Sequence, residues 1–112
     1  MIFKQVSFYV TGKVQNVMFR QTFIRAAKNR KLKGGASNDA KNHQLVHCSL
    51  EGNDAIIDEL IYQLKTVQPL NSWGAAVQAL QFYDNFIEFS NHQVTTDNVS
   101  GFNWAPDVIF YL

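Results

Sequence analysis

The chain has one cysteine, two prolines and a net charge of only +1, with 10 Lys and Arg against 9 Asp and Glu. The single Cys48 excludes an intrachain disulfide and suits a reducing compartment. The near balance of charge excludes a broad basic footprint for nucleic acid or anionic lipid, so any anion site is local. No run approaches the roughly 20 apolar residues of a spanning helix, and Lys4 and Gln5 interrupt the start before a leader-like stretch can form. His43, His47, His92 and Cys48 lack metal-ligand spacing, so no metal and no other cofactor is expected. Internal repeats and low-complexity segments are absent too. A cytoplasmic protein is expected, with no nucleic acid and no membrane partner.

What the chain does have is apolar material for one core. With 46% hydrophobic residues in 112, a single domain over 1–112 is expected. From Phe3 to Thr11, Val6, Phe8 and Val10 alternate with Gln5, Ser7 and Tyr9, the two-residue period of a half-buried strand. From Phe19 the period lengthens: Phe19, Phe23, Ile24 and Ala27 share one helical face, and this helix should end near Lys31. Lys33 to Asp39 reads as a second strand, the polar stretch Ala40 to Gln44 as a turn, and Leu45 to Leu50 as a third strand. Ile56, Ile57, Leu60, Ile61 and Leu64 form the apolar face of a second helix, with Asn53 or Asp54 as its N-cap. Pro69 follows its end, and Ala75 to Tyr83 reads as a fourth strand.

Strand, helix, strand, strand, helix, strand is the ferredoxin-like split unit, an α+β sandwich whose antiparallel sheet is covered on one face by two helices. Residues 84–112 are expected to be an extension packing on the sheet edge. Phe86 to Phe89 and Val108 to Leu112 both read as short strands. Val108 to Leu112 is favoured to complete the sheet, because an exposed apolar edge invites aggregation. Cys48 shares its parity with Val46 and Leu50, which suits a small core residue better than a nucleophile. The histidines are expected to face solvent. Phe82, Tyr83, Phe86, Phe89, Phe102 and Trp104 are expected on the sheet and core surface.

The segment Gly12-Lys13-Val14-Gln15-Asn16-Val17-Met18-Phe19-Arg20 places a polar loop between the first strand and the first helix. Backbone N–H groups entering a helix have no intrahelical partner, the dipole adds partial positive charge, and a guanidinium grips two phosphate oxygens at once. An ordinary role remains open as well, in which Arg20 pairs with Asp39 or Glu88 and Asn38 closes an Asx turn at a strand end.

This segment resembles the signature of the acylphosphatase family: Gly, Arg or Lys, Val, Gln, Gly, Val, any residue, Phe, Arg. The family's second motif, a Gly followed shortly by an Asn, resembles Leu32-Lys33-Gly34-Gly35-Ala36-Ser37-Asn38, and the separation of Arg20 from Asn38 fits. The likeness covers roughly residues 5 to 83, and Gly101 to Trp104 is a weaker match to the family's last strand. The resemblance implies metal-independent hydrolysis of a small-molecule acyl phosphate to a carboxylate and inorganic phosphate by a monomer. It assigns catalysis to Arg20 and Asn38. Arg20 and the backbone of Gln15, Asn16, Val17, Met18 and Phe19 would hold the phosphoryl group, while the Asn38 amide orients the attacking water. Gln15 suits a loop-stabilising role equally well.

Three departures bear on this. Asn16 stands where the motif has Gly, and if the position needs positive φ, Asn tolerates it best among residues with a side chain. Gly35 replaces a bulky residue, and Ser37 a basic or polar one. Two other functions stay open. One is a non-catalytic phosphate or carbamoyl-phosphate binding module of the same fold. The other is an RNA-binding module of the same strand order, for which Tyr9 is available but His47 and Ser49 make poor platforms.

Overall fold

The computed structural model describes residues 2–112. Its elements are β1 (Phe3–Lys13), α1 (Phe19–Asn29), β2 (Lys33–Asn38), β3 (Leu45–Asn53), α2 (Asp54–Thr66), β4 (Ala76–Phe82) and β5 (Val94–Thr95). Every paired neighbour is antiparallel, and the sheet order is β4-β1-β3-β2-β5. The expected ferredoxin-like architecture is therefore present, with a fifth strand added at the β2 edge.

Period-two alternation sends Phe8 and Val10 of β1, and Val46, Cys48 and Leu50 of β3, to one buried face. Phe23 and Ile24 of α1 and Ile57, Leu60 and Leu64 of α2 close over it. Phe23 meets Phe8 edge-on and stacks with Phe19, each at 6.0 Å between centroids. Of the two expected caps of α2, Asn53 acts: its Oδ1 accepts from Ile56 N at 3.1 Å. β1 continues beyond Thr11 because the register shifts at Gly12, whose φ of 131° would place a Cβ 2.6 Å from Ala76 O.

The second face of the sheet is covered as well. After β4 the chain folds back as a strap across β1, β3 and β2. Tyr83 lies 5.5 Å from Tyr9 and 5.8 Å from His47, ring to ring. Ile87 N donates to Ser7 Oγ at 2.8 Å, and Ser49 Oγ donates to Ile87 O at 2.8 Å. Phe86 to Phe89 is therefore no strand, because sheet side chains rather than a strand edge take up its backbone groups. The face on which RNA-binding modules of this strand order stack bases lies beneath this strap.

Two further expectations are corrected. Val108 to Leu112 does not complete the sheet: Phe110 bridges to Asn71, and Tyr111 N donates to Leu70 O at 3.0 Å. Backbone groups of the α2–β4 connection capture this tail, while Val94 and Thr95 pair with Ala36 and Gly35. Gly101 to Trp104 makes no strand either. The histidines do not all face solvent. His92 is buried, with Nδ1 2.9 Å from Ser37 Oγ and Nε2 2.7 Å from Ser49 Oγ. His47 is half-buried between the Tyr83 hydroxyl at 2.6 Å and Asp39 Oδ1 at 2.9 Å, and only His43 is exposed. Cys48 is fully buried and its thiol pKa is raised by that burial, as a core residue requires. Among the described residues no helix is long and apolar enough to cross a membrane.

Candidate functional site

The loop between β1 and α1 alternates its backbone handedness. Asn16 at φ 62° and Met18 at φ 59° are both left-handed, the kind of alternation that turns successive N–H groups into one concavity. Asn16 thus occupies a position that needs positive φ, which explains why an Asn can replace the motif's Gly. Met18 opens α1 without a side-chain cap, leaving the first-turn donors free. Among the described residues, no backbone N–H from Gln15 through Phe19 donates to another group of the chain.

Both flanks of this loop are pinned. Gln15 Nε2 lies 3.1 Å from Asp39 O, 3.1 Å from Asn42 O and 2.8 Å from Leu45 O, so its side chain braces the β2–β3 hairpin. On the other flank, buried Asn71 donates to Val17 O at 2.9 Å and Thr22 Oγ1 at 2.8 Å, and accepts from Trp73 N at 2.9 Å. Thr22 Oγ1 in turn donates to Met18 O at 2.8 Å. The Val17 side chain is a core residue.

Arg20 lies in the first turn of α1 and Asn38 ends β2, and one atom joins them. Gln93 Oε1 accepts from Arg20 Nη1 at 2.8 Å and from Asn38 N at 2.9 Å. Arg20 therefore pairs with neither Asp39 nor Glu88. Its contact is a neutral carbonyl, so its charge is left uncompensated, and burial lowers its pKa. Asp39 faces the opposite side of the sheet. Its carboxylate accepts from Asn42 N at 2.7 Å and Lys41 N at 3.1 Å and meets His47. The Asn42 amide, then His47, then the Lys41 amide hold its pKa down to about 2.

Arg20, Asn38, Asn16, Met18 and Phe19 all line one cavity of about 330 Å³, completed by Trp73, Asn103 and Trp104. Gln15 and Val17 do not line it. Gln93, Asn71 and Trp73 escaped the reading of the sequence, and Trp104, read there as sheet and core surface, lines the cavity instead. A signal for Gln93 exists in Gly35 and Ser37, which share the outward parity of β2. A Cβ at Gly35 would lie 2.6 Å from His92 Cδ2, so only glycine admits the imidazole. Ser37 Oγ meets His92 Nδ1 and accepts from Gln93 N at 2.9 Å. Together the two departures seat the strap that delivers Gln93.

Free N–H groups, an unpaired guanidinium and an amide around one cavity suit a phosphoryl group and a water. They offer no covalent nucleophile. Among the described residues no group of three or more His, Cys, Asp or Glu is placed to hold a metal.

The acylphosphatase family model matches residues 6–93. A Bacillus subtilis acylphosphatase superposes with a TM-score of 0.60 at 24% identity, over 81% of this chain and 92% of that one. A Coxiella burnetii acylphosphatase does so with a TM-score of 0.63 at 26% identity, over 80% and 88%. Full-length HypF in its phosphate- and nucleotide-bound form shares the fold, with a TM-score of 0.56 at 21% identity over 83% of this chain and 12% of that one. No protein of curated function matches the chain.

Proposed function

Because the chain belongs to the acylphosphatase family, we propose that it hydrolyses small-molecule acyl phosphates to carboxylate and inorganic phosphate. The observation that carries this reading is the meeting of Arg20 and Asn38, from two different elements, in the cavity that the 15–19 loop also faces. In this reading the loop N–H groups and Arg20 bind the phosphoryl oxygens. They stabilise the charge that gathers there in the transition state. Asn38 accepts a hydrogen bond from water through its amide oxygen and sets that water in line with the departing carboxylate. The mixed anhydride has a good leaving group, so neither a strong general acid nor a metal is required, and a substrate phosphate oxygen takes the water's proton. We further propose that the whole chain, 1–112, works as one monomeric unit in the cytoplasm.

Asn16 supports a second reading, in which the site binds phosphate or carbamoyl phosphate without turnover. Asn16 lines the cavity at a position where the family motif has no side chain. Phosphate release from benzoyl phosphate, with a chelator present and spontaneous hydrolysis subtracted, separates the two. Hydrolysis by the wild type, lost in folded Arg20→Ala and Asn38→Ala, supports the enzyme. A wild type no faster than buffer, yet still binding phosphate through Arg20, supports the binding module.

A further inference from the structure

Residues 94–112 lie beyond the family match, and they serve the phosphate cavity twice. Asn103 and Trp104 line it directly beside Trp73. Farther along, the tail secures the connection that carries Trp73: Ser72 N donates to Ile109 O at 2.8 Å, and Ile109 N donates to Ser72 Oγ at 2.8 Å. Asn71 then ties Trp73 to the cradle, accepting from Trp73 N at 2.9 Å while donating to Val17 O at 2.9 Å. Trp104 is fixed independently. Its Nε1 donates to Val99 O at 2.7 Å, and its ring lies 5.3 Å from that of Phe102.

The negative face of an indole repels a phosphate, and the N–H that Trp104 could offer one is already spent on Val99 O. The two indoles address whatever the phosphate is attached to. Resting on the hydrolase reading for the identity of the ligand, we infer that Trp73 and Trp104 form an acyl-group subsite selecting planar aromatic acyl phosphates over short aliphatic ones. A flat ring gains offset or edge-on contact with the indole surfaces, of which the Trp104 ring is fixed beforehand by its bond to Val99 O. A methyl group leaves those surfaces wet. The cavity of about 330 Å³ lies at the small end of ligand pockets, which fits a one-ring acyl group. Asn103, which also lines the cavity, adds a polar group beside the two indoles for orientation.

The test uses two analogues in which a methylene replaces the scissile oxygen, so that binding is read apart from turnover. Phenacylphosphonate mimics benzoyl phosphate, and acetonylphosphonate mimics acetyl phosphate. Calorimetric titration of the full chain should show phenacylphosphonate binding about tenfold tighter. That ratio should fall toward one in Trp73→Ala and in Trp104→Leu, the second chosen to keep apolar bulk at a partly buried position while removing the aromatic face. Equal binding of both analogues by the wild type overturns the inference. So does a ratio unchanged in both variants, or no binding of either analogue. Tryptophan-dependent preference without turnover of benzoyl phosphate keeps the subsite and rejects hydrolysis instead.

Discussion

Arg20 and Asn38 share a single acceptor: Gln93 Oε1 takes a hydrogen bond from the Arg20 guanidinium at 2.8 Å and another from Asn38 N at 2.9 Å. The residue proposed to grip phosphate and the one proposed to orient water are thereby held in one geometry by a neutral group. Gln93→Ala removes that tie. A hydrogen bond to a charged group contributes about 1.5–3 kcal/mol, so kcat/KM should fall at least about tenfold. Gln93→Glu should act differently, raising KM because a carboxylate neutralises Arg20 and repels phosphate. Steady-state kinetics of the two variants separates these effects.

Gly35→Ala should destabilise the fold by about 1–3 kcal/mol through overpacking, since the new Cβ meets His92 Cδ2 at 2.6 Å. The loss should largely vanish in a His92→Ala background. A double-mutant cycle from urea midpoints measures that coupling, and additive effects would count against the packing argument.

His92 should make stability acid-sensitive. Burial first, and then nearby His47, lowers its pKa from 6.5 to about 4, so the unfolded chain binds the proton more readily than the folded one. In this term stability is complete above about pH 6.5, falls on the way to pH 4 by on the order of 1–2 kcal/mol once solvent screening is allowed for, and is flat below that. Asp39, held at about 2 against its ordinary 3.8, adds a separate loss below pH 4. Denaturation midpoints at pH 7 and pH 4.5 should drop for the wild type and much less for His92→Gln.

Asn16→Gly should be mildly stabilising or neutral, because φ 62° carries a penalty of at most about 1 kcal/mol for Asn. Removing the side chain also opens the cradle, so phosphate should bind more tightly. Asn16→Val should lose both stability and binding, since a β-branched residue resists that conformation. Thermal melts with and without phosphate check all three.

The legible parts of this chain are the periodic ones. Alternation in β1 and the apolar face of α2 report burial against a flat layer, and Asn53 caps the helix it precedes. Arg20 and Asn38 were singled out by their likeness to a family motif rather than by any local period, and the structure brings both to one cavity. The fifth strand was not legible. Val94–Thr95 is too short for a period to register, and its partner lies far back in sequence. The same distance hid Gln93, Asn71, Trp73 and Trp104, whose roles arise from contacts between remote segments. Gly35 and Ser37 were visible only as departures from a pattern. Their meaning is the imidazole above them, which nothing local could reveal.

The most direct test of the mechanism is single-turnover hydrolysis of benzoyl phosphate in water enriched in oxygen-18. Attack by an Asn38-oriented water on phosphorus places one heavy oxygen in the released phosphate and none in benzoate, at a rate that collapses in Asn38→Ala. Label in the carboxylate, or a rate indifferent to Asn38, would contradict it.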